Sequence, residues 1–535
     1  MHDNYFGIMI DCSRSGVMKV EKVKEYVDYL ALFGYNMLSL YTEDTFLVDN
    51  EPRFGYLRGA YTKEELKEID AYCVSKGIEL IPCIQTLAHL NQIFLWKEYK
   101  EIRDTANILL VGDDKTYKFL DNVLKTVREC FSSNLINIGM DEAHMLGLGK
   151  YLDINGYENR FEILKKHLEK VNEMVKSYNF KPMMWSDMFF RLANHDDYYG
   201  NNMTDEARSS APKDVSLVYW DYYHIEYEEY DRLIKMHKTF DNEIWFAGGA
   251  WMWRGFAPHN KHTFDTMIPA IKALKENDVK NIFFTMWGDD GKECSSFAVL
   301  PALFKLKKIY DGVTDEDAIK KEFKELTGED FDGMMSLDLP NQVGNHEFDN
   351  NPCKYLFYND IFLGMLDSTL KGTEREEYLA HAKKIFSYIN GGKFDKLYKT
   401  YGELCLFLSI KSTIGLKLRE AYKKKDKKLL KILIKDITTM QDNLNDFYAS
   451  FVDLWTSENK AFGIEVHQAR MGGVNARIEY CKQVLIKYVK GKIDKIEELE
   501  AEILDYETGK KDFNKKTVML NAHIDNFSTN HIRWW

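Results

Sequence analysis

From Tyr5 to about Tyr310 short apolar runs alternate with amphipathic stretches, the pattern of βα units that build a parallel sheet. The runs are Phe6 to Ile10, Met37 to Tyr41, Leu80 to Ile84, Leu135 to Ile138, Met183 to Trp185, Ser216 to Trp220, Ile244 to Ala247 and Ile282 to Thr285. Helical patterns separate them. Val20, Val23, Val27 and Leu30 recur at helical spacing, and Thr62 to Lys76 opens with the capping box Thr62-x-x-Glu65 and closes at Gly77. Further helices are predicted at roughly 113–131, 157–178, 226–239, 262–276 and 296–309. Eight repeats in this length fit a (β/α)8 TIM barrel. A doubly wound sheet is the alternative for any such alternation, but no glycine-rich phosphate fingerprint follows the first run.

After Tyr310 the pattern changes. All nine prolines lie at or before Pro352, and Phe407 to Lys435 and Ile478 to Leu504 read as long helices. The expected organisation is therefore a barrel over 1–310 and an all-helical C-terminal domain over 311–535. Asp332 to Pro352 reads as a connector, and the lysine-rich run Tyr422 to Lys428 as a solvated helix face or turn. Glu458 to Gly463 and Arg470 to Gly473 read as loop-like interruptions, either plain turns or loops reaching a site or an interface. The helical half offers surface for a homodimer but no sustained heptads.

Composition narrows the function. With 45% hydrophobic and 29% charged residues the chain can bury a large core. Its net charge of −12 argues against nucleic acid as a main partner. No apolar run approaches the ~18 residues that span a bilayer, and the start of the chain has no basic n-region or long apolar h-region. The eight cysteines form no C-x-x-C pair, so disulfides and zinc ribbons are not expected and a cytoplasmic location is.

Chemistry in a TIM barrel sits where its strands end. After the successive runs come Asp11 and Arg14; Glu43 and Asp44; Gln85 and His89; Asp141, Glu142 and His144; Trp185 and Asp187; Tyr219, Trp220 and Asp221; Trp251, Trp253 and Arg254; then Trp287, Asp289 and Asp290. Singly, most have a plain packing or ion-pair explanation. Converging on one face, carboxylates and indoles suit a pyranose, whose C–H faces stack on aromatic rings while its hydroxyls meet acids and arginine. The sharpest feature is the adjacent pair Asp141-Glu142. Neighbouring residues on a strand point to opposite sides, so the pair is a poor match to two carboxyls facing each other across a scissile bond. No metal-ligand spacing such as H-E-x-x-H appears, and no metal or organic cofactor is expected.

Over residues 5 to about 310 the sequence resembles family 20 glycoside hydrolases, the β-N-acetylhexosaminidases. Gly7 to Arg14 is similar to the family's first-strand motif, Asp141-Glu142 to its tandem acids, Tyr219-Trp220-Asp221 to its Tyr-Leu-Asp motif, and Trp287-Gly288-Asp289 to its Trp-x-Glu/Asp motif. The resemblance implies a retaining exo-enzyme that removes terminal β-linked GlcNAc, with GalNAc as the second candidate, from small-molecule or oligosaccharide substrates. The substrate's own acetamido group would be the nucleophile. It further implies Glu142 as acid and base, Asp141 on the acetamido N–H and Tyr219 on its carbonyl. Trp185, Trp287 and Trp251 or Trp253 would form walls, and Arg14, Asp221 and Asp289 would hold hydroxyls. His89 would keep its family role, with Glu43 rather than Asp44 as its carboxylate. The chain departs from the family where Gln85-Thr86-Leu87-Ala88-His89 replaces Asp-x-Pro-Gly-His, and where Glu43-Asp44 replaces Asp-Asp. With no preceding α/β domain expected, the chain looks like bacterial enzymes of barrel-plus-helical type. Two other functions fit the same residues: a barrel glycosidase whose nucleophile is Asp187, Asp221 or Asp289, acting on sugars without an acetamido group, and a non-hydrolytic sugar-binding protein.

Overall fold

A computed structural model describes residues 2–195, 197–344, 350–506, 520 and 523. Eight parallel strands close into a barrel in chain order: β1 (Phe6–Asp11), β2 (Met37–Tyr41), β3 (Glu79–Cys83), β4 (Leu135–Asn137), β5 (Lys181–Trp185), β6 (Ser216–Trp220), β7 (Ile244–Gly249) and β8 (Asn281–Met286). Each apolar run of the sequence falls on one of them. The strand interiors are mostly apolar because both faces are buried, with polar residues such as Asp11, Glu79, Asn137, Lys181 and Asn281 at the strand ends. Met9, Tyr41, Cys83, Trp185, Val218, Ala247 and Phe283 pack inside the barrel. The alternate positions, Ile8, Leu40, Leu80, Ile136, Met184, Leu217, Tyr219 and Phe284, face the surrounding helices. That alternation decides which strand-end residues can reach the mouth.

The helices Val20–Phe33, Lys63–Ser75, Asp114–Cys130, Arg160–Ser177, Tyr227–Lys238, Asn260–Glu276 and Leu300–Tyr310 form the outer layer. The capping box predicted at Thr62 is present: its hydroxyl accepts from the Glu65 amide at 3.2 Å, and the Glu65 carboxylate accepts from the Thr62 amide at 2.8 Å.

A helical region follows, dominated by Glu374–Phe386, Asp395–Lys423, Lys427–Glu458 and Ile464–Val489. Three details differ from the sequence reading. Phe407 to Lys435 is two helices, broken where Lys425 turns left-handed (φ 53°). Ile478 to Leu504 stops being one helix at Val489. Arg470 to Gly473 is no loop but lies inside Ile464–Val489, because neighbouring turns supply enough packing to offset two glycines. The stretch expected as a connector holds the short helix Phe331–Met335 and a 3₁₀ turn, Ser336–Asn341; its residues 345–349 lie outside the described residues.

Glu458 to Gly463 docks on the barrel. The Lys19 amide donates to the Glu458 carbonyl (2.9 Å), and the Lys460 amide donates to the Val17 carbonyl (2.8 Å). All eight cysteines are buried and free. Among the described residues no helix is long and apolar enough to cross a membrane.

Candidate active site

Loops at the carboxyl-terminal mouth of the barrel enclose a cavity. Arg14, His89, Asp141, Glu142, Trp185, Trp253, Trp287 and Asp289, all singled out from sequence, line it together with Tyr41, Trp220, Tyr222 and Tyr223.

The loop after β4 explains how two adjacent acids reach one cavity. Gly139, Met140 and Glu142 are all left-handed (φ 76°, 70° and 50°), which breaks the alternation of side chains. A side chain at Gly139 would lie 2.2 Å from Gln85 Oε1 and 2.7 Å from the Ile84 carbonyl, so only glycine fits. The loop is pinned from both sides. The Met140 amide donates to Gln85 Oε1 at 3.3 Å, and the Glu142 amide donates to Asp187 Oδ2 at 2.9 Å.

His89, itself left-handed (φ 56°), sits between the acids: its Nε2 lies 3.2 Å from Asp141 Oδ2 and 3.4 Å from Glu142 Oε2. These are ion-pair separations without hydrogen-bond alignment. Burial alone would lower the imidazole, but Asp141, Glu142 and Glu43 hold it well above its ordinary range and thus protonated. Burial would likewise raise Glu142, but His89 and the Tyr198 hydroxyl, which donates to Glu142 Oε1 at 2.9 Å, bring it down to about 2. The proton of this pair therefore rests on the imidazole.

Glu43 lies behind the lining. It pairs with Arg14, accepts from the Tyr41 hydroxyl at 3.0 Å, and is 3.9 Å from His89 Nδ1. Asp44 turns away to Arg58 (3.1 Å). Asp11 ties the first loop to the last: its carboxylate accepts from the Ser13 amide at 2.7 Å and the Gly288 amide at 2.9 Å. On the far side burial pushes Asp289 up to about 6 against the pull of Arg14.

Aromatic rings form the remaining wall. Tyr222 stacks on Trp220 (5.3 Å, 19°), and Trp287 stands edge-on to Tyr41 (4.8 Å, 82°). Trp251 does not line the cavity; it stacks beneath Trp253 (4.3 Å, 21°) and supports it.

Besides Glu43 and Trp251, two further residues named from sequence lie outside the lining. Tyr219 occupies the outward register of β6, where it packs against His237 and donates to Asp221 Oδ2 at 2.7 Å. Asp221 is fully buried and spent on local contacts, accepting also from the Tyr223 amide at 3.1 Å. Inward register belongs to Val218 and Trp220, so Trp220, Tyr222 and Tyr223 line the cavity in place of Tyr219 and Asp221. The residues missed from sequence are Tyr41, Tyr222, Tyr223 and Tyr198. The parity of β6 could have pointed to Tyr222; nothing local points to Tyr198, which comes from a long excursion after β5.

Among the described residues no three His, Cys, Asp or Glu side chains are grouped to hold a metal ion.

Such a site defines a class: a (β/α)8 barrel whose mouth is lined by carboxylates, a histidine and indoles. Two family models match, "Glycosyl hydrolase family 20, catalytic domain" over residues 4–235 and "Glycoside Hydrolase 20C C-terminal domain" over 329–519. The chain belongs to glycoside hydrolase family 20. Relatives include a beta-hexosaminidase of Akkermansia muciniphila, 29% identical over 26% of this chain and 34% of the relative. Another, from Vibrio furnissii, is 30% identical over 26% of this chain and 28% of the relative. Hexosaminidase D of Homo sapiens is 24% identical over 38% of this chain and 42% of its own. The chain thus spans only part of the length of these curated relatives. Among solved structures, a GH20 beta-N-acetylhexosaminidase from Streptomyces coelicolor A3(2) has a TM-score of 0.45 at 18% identity, covering 62% of this chain and 70% of that one.

Proposed function

We propose that the protein is a retaining exo-β-N-acetylhexosaminidase acting on terminal β-linked GlcNAc, with GalNAc as the second candidate, through neighbouring-group participation by the substrate's acetamido oxygen. The observation that carries this reading is the convergence of Asp141 and Glu142 on one side of the cavity with His89 between them. Two acids on the same side cannot flank C1 as an acid and a nucleophile must. They can instead divide the work. Glu142 protonates the glycosidic oxygen as its bond to C1 breaks. The acetamido oxygen meanwhile bonds to C1, giving an oxazolinium ion, and Asp141 holds the acetamido N–H and faces the positive charge. Water then adds to C1 from the face the leaving group left as the bond from C1 to the acetamido oxygen breaks and its electron pair returns to the acetamido group; Glu142 takes the water's proton, and the β configuration is retained.

In this reading the acetamido carbonyl is met by Tyr222 rather than Tyr219. Tyr222 lines the cavity beside Trp220 and Trp287, and its hydroxyl is the donor assigned to the carbonyl. Arg14 and Asp289 bind hydroxyls, and Trp185, Trp253 and Trp287 wall the sugar. His89 supplies the proton that Glu142 needs when substrate displaces the present arrangement. The division near residue 310 into a catalytic barrel and a helical C-terminal domain belongs to the same proposal, as does a reducing compartment, which the eight free cysteines favour.

The rival with an enzyme nucleophile loses two of its three carboxylates. Asp187 is engaged by the Glu142 amide and held largely uncharged by burial beside Asp141, and Asp221 lies outside the cavity. Comparison of p-nitrophenyl N-acetyl-β-glucosaminide with p-nitrophenyl β-glucoside tests the proposal, with the product anomer followed by NMR. Turnover of the first alone, with β product and inhibition by a thiazoline, is expected. Equal turnover of the glucoside, or an α product, would overturn it, and binding without turnover would favour a sugar-binding protein.

A further inference from the structure

The segment after β8 carries Trp287 and Asp289 into the cavity, and the six residues that follow are each held by the helical region. Arg470 pairs with the Asp290 carboxylate through both terminal nitrogens (3.0 and 3.2 Å) and also reaches the Asp290 carbonyl at 2.5 Å. Lys354, fully buried, reaches Asp290 at 2.8 Å and Glu293 at 2.9 Å. A ring nitrogen of His467 lies 2.7 Å from the Gly291 carbonyl, and the Trp455 indole donates to the Lys292 carbonyl at 3.2 Å. Tyr401 lies 3.4 Å from Cys294 Sγ, and Ser295 donates to Glu458 at 2.6 Å.

This stretch does not hold its own shape. Asp290, Gly291 and Lys292 are all left-handed (φ 57°, 120° and 54°), a conformation that persists in non-glycine residues only where surroundings impose it. Within the barrel, Lys292 Nζ donates to the Asp11 carbonyl at 3.0 Å and the Gly288 amide donates to Asp11 Oδ2. The shape imposed on 290–292 is therefore passed to Trp287 and Asp289 over very few bonds.

We propose that the helical region is a template for the sugar-binding segment, and that Arg470 is a positioning residue setting where Asp289 and Trp287 stand in the cavity. Arg470 lines no part of the cavity, so it acts on substrate only through that segment. The inference rests on the proposed hexosaminidase reading for its effect on catalysis, but not for its structural content.

The full chain is tested as Arg470→Met, with Arg470→Lys as the milder variant and Arg477→Met as control. Arg477 lies on the same helix and pairs with Asp360 and Glu498 (both 2.6 Å), away from the β8 segment. For Arg470→Met, KM for the aryl N-acetylglucosaminide should rise about tenfold while kcat changes less than about threefold. Arg470→Lys should recover part of that loss. Adding Asp289→Asn to Arg470→Met should cost less than Asp289→Asn alone. Hydrogen exchange of amides 287–295 should quicken in Arg470→Met and not in Arg477→Met. Unchanged exchange there, strict additivity with Asp289→Asn, or equal behaviour of both arginine variants would overturn the proposal; if Arg470→Met fails to fold, Arg470→Lys is judged by the same two measurements. A wild-type protein without activity on any aryl N-acetylhexosaminide would refute the functional reading, while the exchange measurement would still decide the template.

Discussion

Gln85 donates its side-chain N–H to Asp141 Oδ1 at 2.7 Å, and also to the Tyr41 hydroxyl at 2.9 Å. A neutral amide thus orients the carboxylate that the proposed mechanism sets against the oxazolinium charge, and leaves Oδ2 toward His89. This is the position where the family motif carries an acid; here an acid would face Asp141 as a like charge.

Exchanging that amide for a carboxylate should therefore be worse than losing a hydrogen bond. Gln85→Glu is expected to lower kcat/KM by about 10²-fold, the order found for removing one preorganised electrostatic group. Asp141→Asn should lower it by as much or more, with the loss specific to 2-acetamido substrates. Steady-state kinetics on aryl N-acetyl-β-glucosaminides checks both; a Gln85→Glu enzyme of normal activity would separate Gln85 from the function of Asp141.

The His89–Glu142 pair predicts a pH dependence. The reaction needs one proton on the pair, and His89, held well above its ordinary value, keeps it past neutrality. The alkaline limb of kcat/KM should fall above pH 7. In His89→Asn the proton must stay on Glu142, so the limb should move to lower pH by about one unit or more. The same raised value gives a stability contribution from His89 that is complete below about pH 6.5 and is lost as pH rises through the folded-state value. An alkaline limb unmoved by the substitution would assign it to another group.

Tyr219 and Tyr222 should part company. Tyr222→Phe removes a hydroxyl from the cavity and should cost about 10²-fold in kcat. Tyr219→Phe removes a buried donor to Asp221, which should show as lost stability of about 1–3 kcal/mol with kcat nearly unchanged. Kinetics and thermal unfolding on the two variants test this, and the opposite pattern would restore the role that sequence resemblance implies for Tyr219.

Much of this was legible before the structure. Barrel strands are buried on both faces, so each appears as an apolar run whose end marks the mouth; Arg14, His89, Asp141, Glu142, Trp253, Trp287 and Asp289 are among the residues at those ends, and the family resemblance singles them out from the rest. Tyr219 misled because a motif gives chain position and not register: in β6 the inward set begins at Ser216, which puts Tyr219 outside. The acids Asp141 and Glu142 misled in the other direction. Alternation holds on a strand, but β4 ends at Asn137, and the left-handed turn beyond it comes from contacts with Gln85 and Asp187 that are distant in sequence. Arg470 to Gly473 looked like a loop because glycine pairs disfavour helix locally, and tertiary packing outweighed that preference.

The junction of barrel and helical region carries its own titration. Glu458, wholly buried against Ser295, is pushed by burial up to about 7 from an ordinary value of 4.5. Between those values the folded state holds more protons than the unfolded one, so stability falls as pH rises, approaching a cost of about 3 kcal/mol above pH 7. Glu458→Gln keeps an acceptor for the Ser295 hydroxyl and removes the charge. It should raise Tm by a few degrees at pH 8 and leave it almost unchanged at pH 5; a gain of the same size at both would show that Glu458 does not titrate in this window.

The burial of every cysteine has a chemical consequence. Low accessibility is compounded by weak acidity, with the Cys73 thiol raised to about 12 and Cys130 to about 11. Because nucleophilic attack by sulfur needs the thiolate and a path to it, the native molecule is shielded from alkylating agents and peroxides, and oxidative damage becomes a hazard of its opened forms alone.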